Sequence, residues 1–338
     1  MSTTVFISGA TGYIAQHTIK QFLDHGYSVI GSVRSHAKGE KLLKSFDNSR
    51  LSYVVVADIQ QEGAFDQALK DHPEITGFLH TASPFHFSTD DPEKDLLIPA
   101  VKGTTNVLRA IADHGANIKK VLVTSSYAAM MTFGDEMNPS YVRDELSWND
   151  LKWDDAKQNA IAGYVGSKAF AEKAAWEFLE MEKPGFQLAT LNPAYVFGPQ
   201  LFDEEVKGTL NTSAEMINQI LKLTSADVVP KESGAFLDVR DVAKAHRVAF
   251  EKDEANQHRL LLQNGRFTSH VIRDIIAKRF PQLEGRLPQG AAESLAKILS
   301  RYCKLDDSKT RKVLDFDYFT LEQSIYDTVK QIAVANNW

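Results

Sequence analysis

The sequence predicts an α/β fold: a Rossmann-type, doubly wound parallel sheet with a smaller, mostly helical C-terminal lobe. Three observations predict it. Short β-branched or aromatic runs alternate with longer segments of helical spacing through the first 192 residues. A glycine turn follows the first run at Gly9–Gly12. The run Val121–Val123 is wholly apolar, as a strand buried on both faces should be. Repeated strand–helix units of this kind give a parallel sheet with helices on both faces.

The elements follow in order along the chain. The predicted strands are Thr4–Ser8, Tyr27–Val33, Leu51–Val56, Gly77–His80, Val121–Thr124 and Phe186–Leu191, with a late strand at Arg259–Gln263. The predicted helices are Gly12–His25, Ser35–Phe46, Ala64–His72, Ala100–His114, Ala156–Glu182, Thr212–Leu223 and Asp238–Phe250. The rhythm changes after Pro193, where Gly, Pro, Asp and Asn become frequent. We therefore assign residues 1–196 plus about 237–265 to the sheet domain, and 197–236 plus about 266–338 to the second lobe.

The composition excludes several classes of partner. The 338 residues are 43% hydrophobic and 24% charged, which is ordinary for a globular chain. The formal net charge is −6 and no basic block is present, so we expect neither nucleic acid nor an anionic membrane surface as a partner. No run of eighteen apolar residues could span a bilayer. The single cysteine, Cys303, excludes an internal disulfide and is consistent with a reducing compartment, so a cytoplasmic location is expected.

The turn Gly9–Ile14 predicts a dinucleotide cofactor. Glycines allow a pyrophosphate to approach the backbone closely, and the N-terminus of the following helix favours the negative charge. A Gly-x-x-Gly motif alone is a weak signal, and the third glycine of the usual pattern is replaced near Ala15. Its position in the first strand–helix unit is what favours cofactor binding over a plain turn.

The residues after the second and third strands favour NADP(H) over NAD(H). An acid often follows the second strand of NAD enzymes to bind the ribose diol, but here Arg34 follows it, with Lys38 one turn later. These cations would attract a 2′-phosphate, unless they only face water. Asp58 closes the third strand and could accept a hydrogen bond from the adenine amine, or simply cap a turn.

A tyrosine and a lysine four residues apart predict carbonyl chemistry. Tyr164 and Lys168 would lie on one face of a helix, where the ammonium should lower the pKa of the phenol. Tyr164 would then donate a proton to a carbonyl oxygen while hydride reaches the carbon. Ser126 would orient that oxygen, although its neighbour Ser125 competes for this role. The same spacing occurs at Tyr326–Lys330, which we interpret as ordinary helix surface because it lies beyond every predicted strand.

The substrate should bind beyond the carboxyl ends of the strands. Five residues that can reach this region would make an apolar, partly aromatic pocket: Phe85, Tyr127, Met131, Tyr195 and Phe236. Ordinary core packing explains each of them equally well. Arg143 is the one cation that could meet an anionic substrate, and no group of histidines has the spacing of a metal site.

Several motifs together resemble those of the extended short-chain dehydrogenases/reductases. They are Gly9–Ile14, His80–Pro84, Thr124–Tyr127, Tyr164-x-x-x-Lys168, Asn192–Pro193, Val196-x-Gly198-Pro199 and Asp238–Ala243. Within that family the chain is most similar to the dihydroflavonol-reductase-like branch, and especially to yeast NADPH-dependent carbonyl reductases of the methylglyoxal/isovaleraldehyde type. Asp95–Ala100 and Ala171–Phe178 strengthen this closer match.

The resemblance implies roles for particular residues. The catalytic residues would be Ser126, Tyr164 and Lys168. The family motif thus assigns the serine role to the second residue of the Ser125–Ser126 pair. The implied cofactor contacts are Gly9, Thr11, Gly12, Tyr13, Ile14, Arg34, Lys38, Asp58, Ile59, Ala82, Tyr164, Lys168, Pro193, Val196 and Ser213.

The expected function is therefore NADPH-dependent reduction of aldehydes, ketones or α-dicarbonyls by a monomer or homodimer. The alternatives are a nucleotide-sugar epimerase or dehydratase of the same fold, and a regulator that senses NADP without catalysis.

Overall fold

A seven-stranded parallel sheet forms the centre of the molecule. The computed structural model describes residues 3–83, 89–208, 210–290 and 295–336. The strands are β1 (Thr4–Ser8), β2 (Ser28–Val33), β3 (Leu51–Val55), β4 (Ile75–His80), β5 (Lys120–Thr124), β6 (Val142–Arg143), β7 (Gln187–Pro193), β8 (Tyr195–Phe197), β9 (Ser233–Asp238), β10 (Arg259–Leu262), β11 (Arg266–Thr268) and β12 (Lys304–Leu305). The large sheet has the order β10-β7-β5-β4-β1-β2-β3. This order confirms the predicted fold class.

Helices cover both faces of this sheet. The helices of the described residues, including those of the C-terminal lobe, are α1 (Tyr13–Asp24), α2 (His36–Phe46), α3 (Asp66–Asp71), α4 (Ile98–His114), α5 (Phe133–Glu136), α6 (Trp153–Ala156), α7 (Ala160–Glu182), α8 (Thr212–Lys222), α9 (Val239–Glu251), α10 (Ser269–Arg279), α11 (Leu295–Leu299), α12 (Ser308–Leu314) and α13 (Leu321–Ala335). Shorter 3-10 turns lie at Tyr127–Ala129, Asp203–Lys207, Asp253–Ala255 and Pro281–Arg286, and a π-helical turn at Glu93–Leu97.

Alternate residues of each central strand enter different cores. Val5 and Ile7 of β1 pack in one apolar cluster, beneath α1 and α9. Phe6, between them, packs in another, beneath α3, α4 and α7. Because side chains alternate across a strand, a wholly apolar strand must be covered on both faces. The apolar runs of the sequence therefore determined the doubly wound architecture.

The C-terminal lobe has its own core and a small sheet that the sequence did not predict. Strands β8, β9 and β11 form a three-stranded sheet in the order β11-β9-β8. Phe197, Phe236 and Phe267 meet α8, α10 and α13 in a third apolar cluster. These strands are short, and their composition resembles that of the surrounding loops, so periodicity gave little signal. The predicted return of the chain to the main sheet is seen at β10, which pairs with β7 in parallel.

The structure corrects one predicted helix. The segment Ala156–Glu182 is not continuous, because α6 ends at Ala156 and α7 begins only at Ala160. Asn159 caps α7 by accepting a hydrogen bond from the backbone N–H of Ala162 at 2.9 Å. Asparagine at an N-cap satisfies an amide that the first turn of a helix leaves free, so a new helix starts there. No helix in the described ranges has both the length and the apolar composition needed to cross a bilayer.

Candidate active site

The ends of β1 and β4 meet at the point where the strand order reverses. Gly9, just after β1, has φ +67, and a Cβ atom there would lie 3.0 Å from the Cα of Ala82, just after β4. Only glycine fits this left-handed, crowded position without strain. The first turn of α1 follows, and Gly12 offers it no side-chain cap. Its backbone N–H groups therefore remain available to an anion, as a dinucleotide pyrophosphate requires.

A buried polar contact fixes the two strand ends relative to each other. Ser8 Oγ hydrogen-bonds His80 Nδ1 at 2.9 Å and accepts the backbone N–H groups of Thr81 and Ala82 at 3.1 Å each. Burial lowers the pKa of His80 to about 3, and Lys168 contributes in the same direction. His80 is therefore neutral, and its hydrogen bond to Ser8 gives it a structural role.

The two cations after β2 are exposed. Arg34 directly follows β2 and Lys38 lies in the first turn of α2; both are exposed, and no hydrogen bond or ion pair to another described residue engages either side chain. This arrangement fits a 2′-phosphate, since both side chains can reach a ligand without breaking an internal ion pair. Asp58 is also exposed, and its Oδ1 accepts the N–H of Gln60 at 2.9 Å. Asn106 Nδ2 donates to the carbonyl of Ile59 at 3.1 Å, which fixes this turn.

The remaining predicted cofactor residues line the turn and the neighbouring strand ends. Thr11 and Gly12 are exposed, whereas Tyr13 and Ile14 are partly buried. The hydroxyl of Tyr13 donates to the carbonyl of Gly198 at 2.8 Å, which connects α1 to the segment after β8. Pro193 at the end of β7 and Val196 in β8 are buried, and Ser213 lies partly buried in the first turn of α8.

Helix α7 carries Tyr164 and Lys168. The residue before Tyr164 is Gly163, where a Cβ would lie 2.6 Å from the Cβ of Pro92, so the absence of a side chain allows close packing. Lys168 Nζ lies 5.7 Å from the ring centroid of Tyr164 and donates to Ser83 Oγ at 2.8 Å. Burial lowers the pKa of Lys168 to about 8.

The structure distinguishes the two serines after β5. Ser125 is buried and donates its hydroxyl to Glu172. Ser126 is partly exposed; its Oγ accepts the N–H of Ala128 at 3.1 Å and hydrogen-bonds the Tyr164 side chain. Ser126 is therefore the serine whose hydroxyl lies beside Tyr164, whereas Ser125 faces the interior.

The expected direction of the Tyr164 pKa shift is wrong. Burial raises the pKa of the Tyr164 phenol above its ordinary value, and Tyr195 adds to the rise, while the hydrogen bond to Ser126 lowers it. Desolvation disfavours the charged phenolate and outweighs the favourable contact. The phenol consequently keeps its proton at neutral pH, which is the form that a proton donor needs.

The comparisons with known proteins agree with this geometry. Residues 5–262 match the model of the NAD dependent epimerase/dehydratase family. The chain belongs to that family. It is 44% identical over 334 residues to the NADPH-dependent methylglyoxal reductase of Saccharomyces cerevisiae, covering 97% of this chain and 98% of the relative.

Two solved structures extend the comparison. A Candida albicans protein in complex with NADPH superposes with a TM-score of 0.96 at 51% identity, covering 98% of this chain and 99% of that one. The yeast methylglyoxal/isovaleraldehyde reductase complexed with NADPH also has a TM-score of 0.96, at 44% identity and 99% coverage of both chains. The resemblance predicted from the motifs is confirmed.

Within this family fold, the five predicted pocket residues occupy different environments. Tyr195 is 43% exposed and lies close enough to Tyr164 to raise its pKa. Met131 is partly buried beside the buried Tyr127. Phe236 is only 2% exposed and packs in the core of the C-terminal lobe. Phe85 lies outside the described residues. The assignment of these side chains to a substrate pocket therefore stays a prediction.

Arg143 is not available to an anionic substrate. Its side chain is fully buried, and its Nη1 donates to the carbonyl of Met130. Its Nη2 lies 3.6 Å from Glu136 Oε2, and Glu136 also binds Arg266 Nη1 at 2.6 Å and accepts the hydroxyl of Tyr127 at 2.7 Å. This cluster holds α5 against β6 and β11. Among the described residues, no three His, Cys, Asp or Glu side chains converge in a way that could hold a metal ion.

Residue-type reasoning alone did not reveal the buried polar residues behind the site. Glu172, four residues after Lys168, is 1% exposed and accepts hydrogen bonds from Thr190 of β7, Arg259 of β10 and Ser125, which follows β5. Ser83 holds the ammonium of Lys168. One signal was available in the sequence: Glu172 continues the helical face of Tyr164 and Lys168 at the same four-residue spacing.

Proposed function

We propose that this chain is an NADPH-dependent carbonyl reductase that reduces aldehydes, ketones or α-dicarbonyls to alcohols, with Tyr164 as the proton donor. The observation that carries the proposal is the hydrogen bond between Tyr164 and Ser126 at the carboxyl end of β5, with Lys168 on the same helix face. The named reductases that cover nearly the whole chain support the carbonyl class and the use of NADPH.

The cofactor would lie across the ends of β1 and β4. The turn from Gly9 to Ile14 would hold its pyrophosphate, and Arg34 and Lys38 would hold the 2′-phosphate. Asp58 and Ile59 would meet the adenine. Further contacts are assigned to Thr11, Gly12, Tyr13, Ala82, Pro193, Val196 and Ser213.

The protein supplies position and a proton. When bound, NADPH supplies the hydride for the carbonyl carbon. The hydroxyl of Ser126 would orient the carbonyl oxygen, and Tyr164 would transfer its proton to that oxygen as negative charge develops on it. Hydride and proton together convert the carbonyl into an alcohol. Lys168 would keep a positive charge beside this oxygen and bind the ribose of the cofactor.

The substrate class follows from the site and the relatives together. Arg143 is buried and bonded internally, so the cation that could have met an anionic substrate is already occupied. Small uncharged carbonyl compounds such as methylglyoxal and isovaleraldehyde are therefore favoured over nucleotide sugars. We also propose a cytoplasmic location and a monomer or homodimer, which light scattering on the purified protein would distinguish.

NADPH absorbance tests this function directly. Purified chain is incubated with NADPH and, in turn, methylglyoxal, isovaleraldehyde and UDP-glucose, and the same series is repeated with NADH. Carbonyl-dependent oxidation of NADPH, faster than that of NADH, supports the proposal. Conversion of the nucleotide sugar without net NADPH oxidation would instead indicate an epimerase. Tight NADPH binding with no turnover of any compound would indicate a sensor.

A further inference from the structure

One buried carboxylate connects three neighbouring strands to helix α7. Glu172 Oε1 accepts Thr190 Oγ1 of β7 at 3.0 Å and forms an ion pair with Arg259 Nε of β10 at 2.5 Å. Its Oε2 accepts Asn192 Nδ2 at 2.6 Å and the hydroxyl of Ser125, which follows β5. A buried carboxylate is costly unless it is paired and hydrogen-bonded, and this one has both kinds of partner.

The connections reach Ser126 from both sides. Ser125, directly before it, is held by its own hydroxyl on Glu172. Asn192 Nδ2, held by the same carboxylate, also donates to the backbone carbonyl of Ser126 at 3.1 Å. Ser126 has an extended backbone, and its Oγ accepts the N–H of Ala128. The direction of its side chain therefore depends on how Ser125 and Asn192 hold the peptide units on either side of it.

Glu172 also belongs to the helix that carries Tyr164 and Lys168. It lies eight and four residues after them, on the same face of α7. A single side chain therefore fixes the distance between the helix that presents the phenol and the strand end that presents the serine hydroxyl. Packing alone cannot set this distance so closely, because apolar contacts are not directional.

We propose that Glu172 is a positioning residue for the carbonyl reduction proposed above: it holds Ser126 opposite Tyr164 through Ser125 and Asn192. Glu172 does not contact substrate and exchanges no proton in this role. Small displacements of a reacting group reduce turnover strongly, by about 100-fold for roughly 1 Å in well-organised sites. Loosening the serine should therefore lower turnover and leave NADPH binding unchanged.

Two variants form a matched pair for the test. Ser125→Ala and Thr190→Val each remove one hydroxyl that contacts Glu172, and both positions are buried. Thr190 Oγ1 also lies 3.1 Å from Asn192 Oδ1, but the Nδ2 that Asn192 donates to Ser126 and Glu172 does not depend on this hydroxyl. Only Ser125 is adjacent to Ser126. A similar loss of stability is expected for both, because each variant loses one buried hydrogen bond. We expect Ser125→Ala to lower kcat about tenfold or more, whereas Thr190→Val stays within about twofold of wild type.

A second readout separates position from stability. In protein labelled with ¹³C at the ζ carbon of tyrosine, the Tyr164 resonance, assigned with Tyr164→Phe, reports the hydrogen bond from Ser126. This resonance should move in Ser125→Ala and keep its wild-type position in Thr190→Val. The isotope effect with deuterated NADPH should also rise in Ser125→Ala, because hydride transfer becomes more rate-limiting.

Glu172→Gln and the double variant complete the test. If Glu172 acts through Ser125, the double variant Ser125→Ala with Glu172→Gln should lose no more turnover than Glu172→Gln alone. If Glu172→Gln leaves Arg259 without its ion-pair partner and the chain fails to fold, the comparison of Ser125→Ala with Thr190→Val still tests the positioning role. Equal turnover and equal tyrosine resonances in Ser125→Ala and Thr190→Val would overturn the positioning role. If wild type reduces no carbonyl, the proposed function fails, and the resonance still decides whether Glu172 positions the serine.

Discussion

Two tyrosine–lysine pairs of identical spacing have different surroundings in this molecule. In α7, Tyr164 hydrogen-bonds Ser126 and Lys168 donates to Ser83, at the end of the main sheet. In α13, the ring of Tyr326 stacks on Phe280 with centroids 5.4 Å apart, and Lys330 is exposed. The first pair faces the crevice where the strand order reverses, and the second lies on the outside of the C-terminal lobe.

The contrast teaches that spacing supplies only the opportunity for chemistry. Both helices place the phenol and the ammonium on one face, as four-residue spacing requires. Burial and a partner from another element change the properties of the first pair: the pKa of Tyr164 rises and that of Lys168 falls to about 8. Tyr326 packs instead against the apolar core of the C-terminal lobe and Lys330 is exposed, so the same two residue types there serve packing and hydration.

The largest expected effect concerns the two phenols. Tyr164→Phe should lower the turnover of carbonyl reduction by about 100-fold or more, because the proton donor is lost. Tyr326→Phe should remain within about twofold of wild type. Steady-state rates of NADPH oxidation measure both, and fluorescence titration should show unchanged NADPH binding in each variant. Near-normal turnover in Tyr164→Phe would remove the basis for assigning the proton to this residue.

The next effect concerns exposed cations at two places: Arg34 and Lys38 just after β2, and Lys41 and Lys44 further along α2. Arg34→Asp combined with Lys38→Ala should reduce the preference for NADPH over NADH by about 10- to 100-fold, the range of one or two charge-assisted contacts to phosphate. Lys41→Ala combined with Lys44→Ala, on the same helix α2, is the matched control and should leave the preference unchanged. The preference is measured as kcat/KM with NADPH divided by kcat/KM with NADH. An unchanged ratio in the first variant would mean that Arg34 and Lys38 face only water.

A smaller effect is expected from pH. The pKa of Lys168 is lowered to about 8, so its ammonium loses its proton as the pH rises through that value. Tyr164, with its raised pKa, keeps its proton over the same interval. The value of kcat/KM for reduction should therefore fall above pH 8, by about tenfold per pH unit, because this quantity reports the free enzyme. In Lys168→Arg any remaining activity should lack this fall, since guanidinium stays charged. The same fall in that variant would assign it to another group.

The smallest effect on catalysis is expected where stability changes most clearly. Tyr326→Ala removes a ring that stacks on Phe280 and lies under the guanidinium of Arg279, 4.2 Å from the ring centroid. The unfolding free energy should fall by about 1–3 kcal/mol for this partly buried ring, with kcat within about twofold of wild type at a temperature where the variant is folded. Chemical denaturation and NADPH oxidation measure the two quantities. A large loss of kcat in the folded variant would show that α13 influences the site.

Much of the fold could be predicted from the sequence because strands and helices are marked by patterns of neighbouring residues. Every strand of the main sheet appeared as an apolar or β-branched run, and β1 has the predicted bounds. The three-stranded sheet escaped prediction because β8 and β11 have only three residues each and pair with strands distant in sequence. The break before α7 escaped because Lys157–Asn159 contains no proline or glycine, and the cap by Asn159 resembles an ordinary polar helix residue.

The candidate site divides in the same way. The glycine turn, Tyr164, Lys168 and the serine pair were visible as motifs, because each depends on residues close together in the chain. The choice between Ser125 and Ser126 was not visible from periodicity, since neighbours on a strand end differ only in which way they face. It depends on Glu172, 47 residues away from Ser125. The location of Arg143 could not be predicted either, because its burial depends on Tyr127, Glu136 and the neighbouring strands.

The sequence by itself determined the alternation of strands and helices, the glycine turn after β1 and the residue types available for proton transfer. Only the tertiary structure decided which serine meets the phenol, that the phenol is made less acidic, and that one carboxylate joins three strands to helix α7. The physical reason is the separation along the chain over which each effect acts. Periodicity and turn preference act between near neighbours, whereas desolvation and hydrogen bonding in a buried site depend on atoms that the folded chain brings together from distant segments.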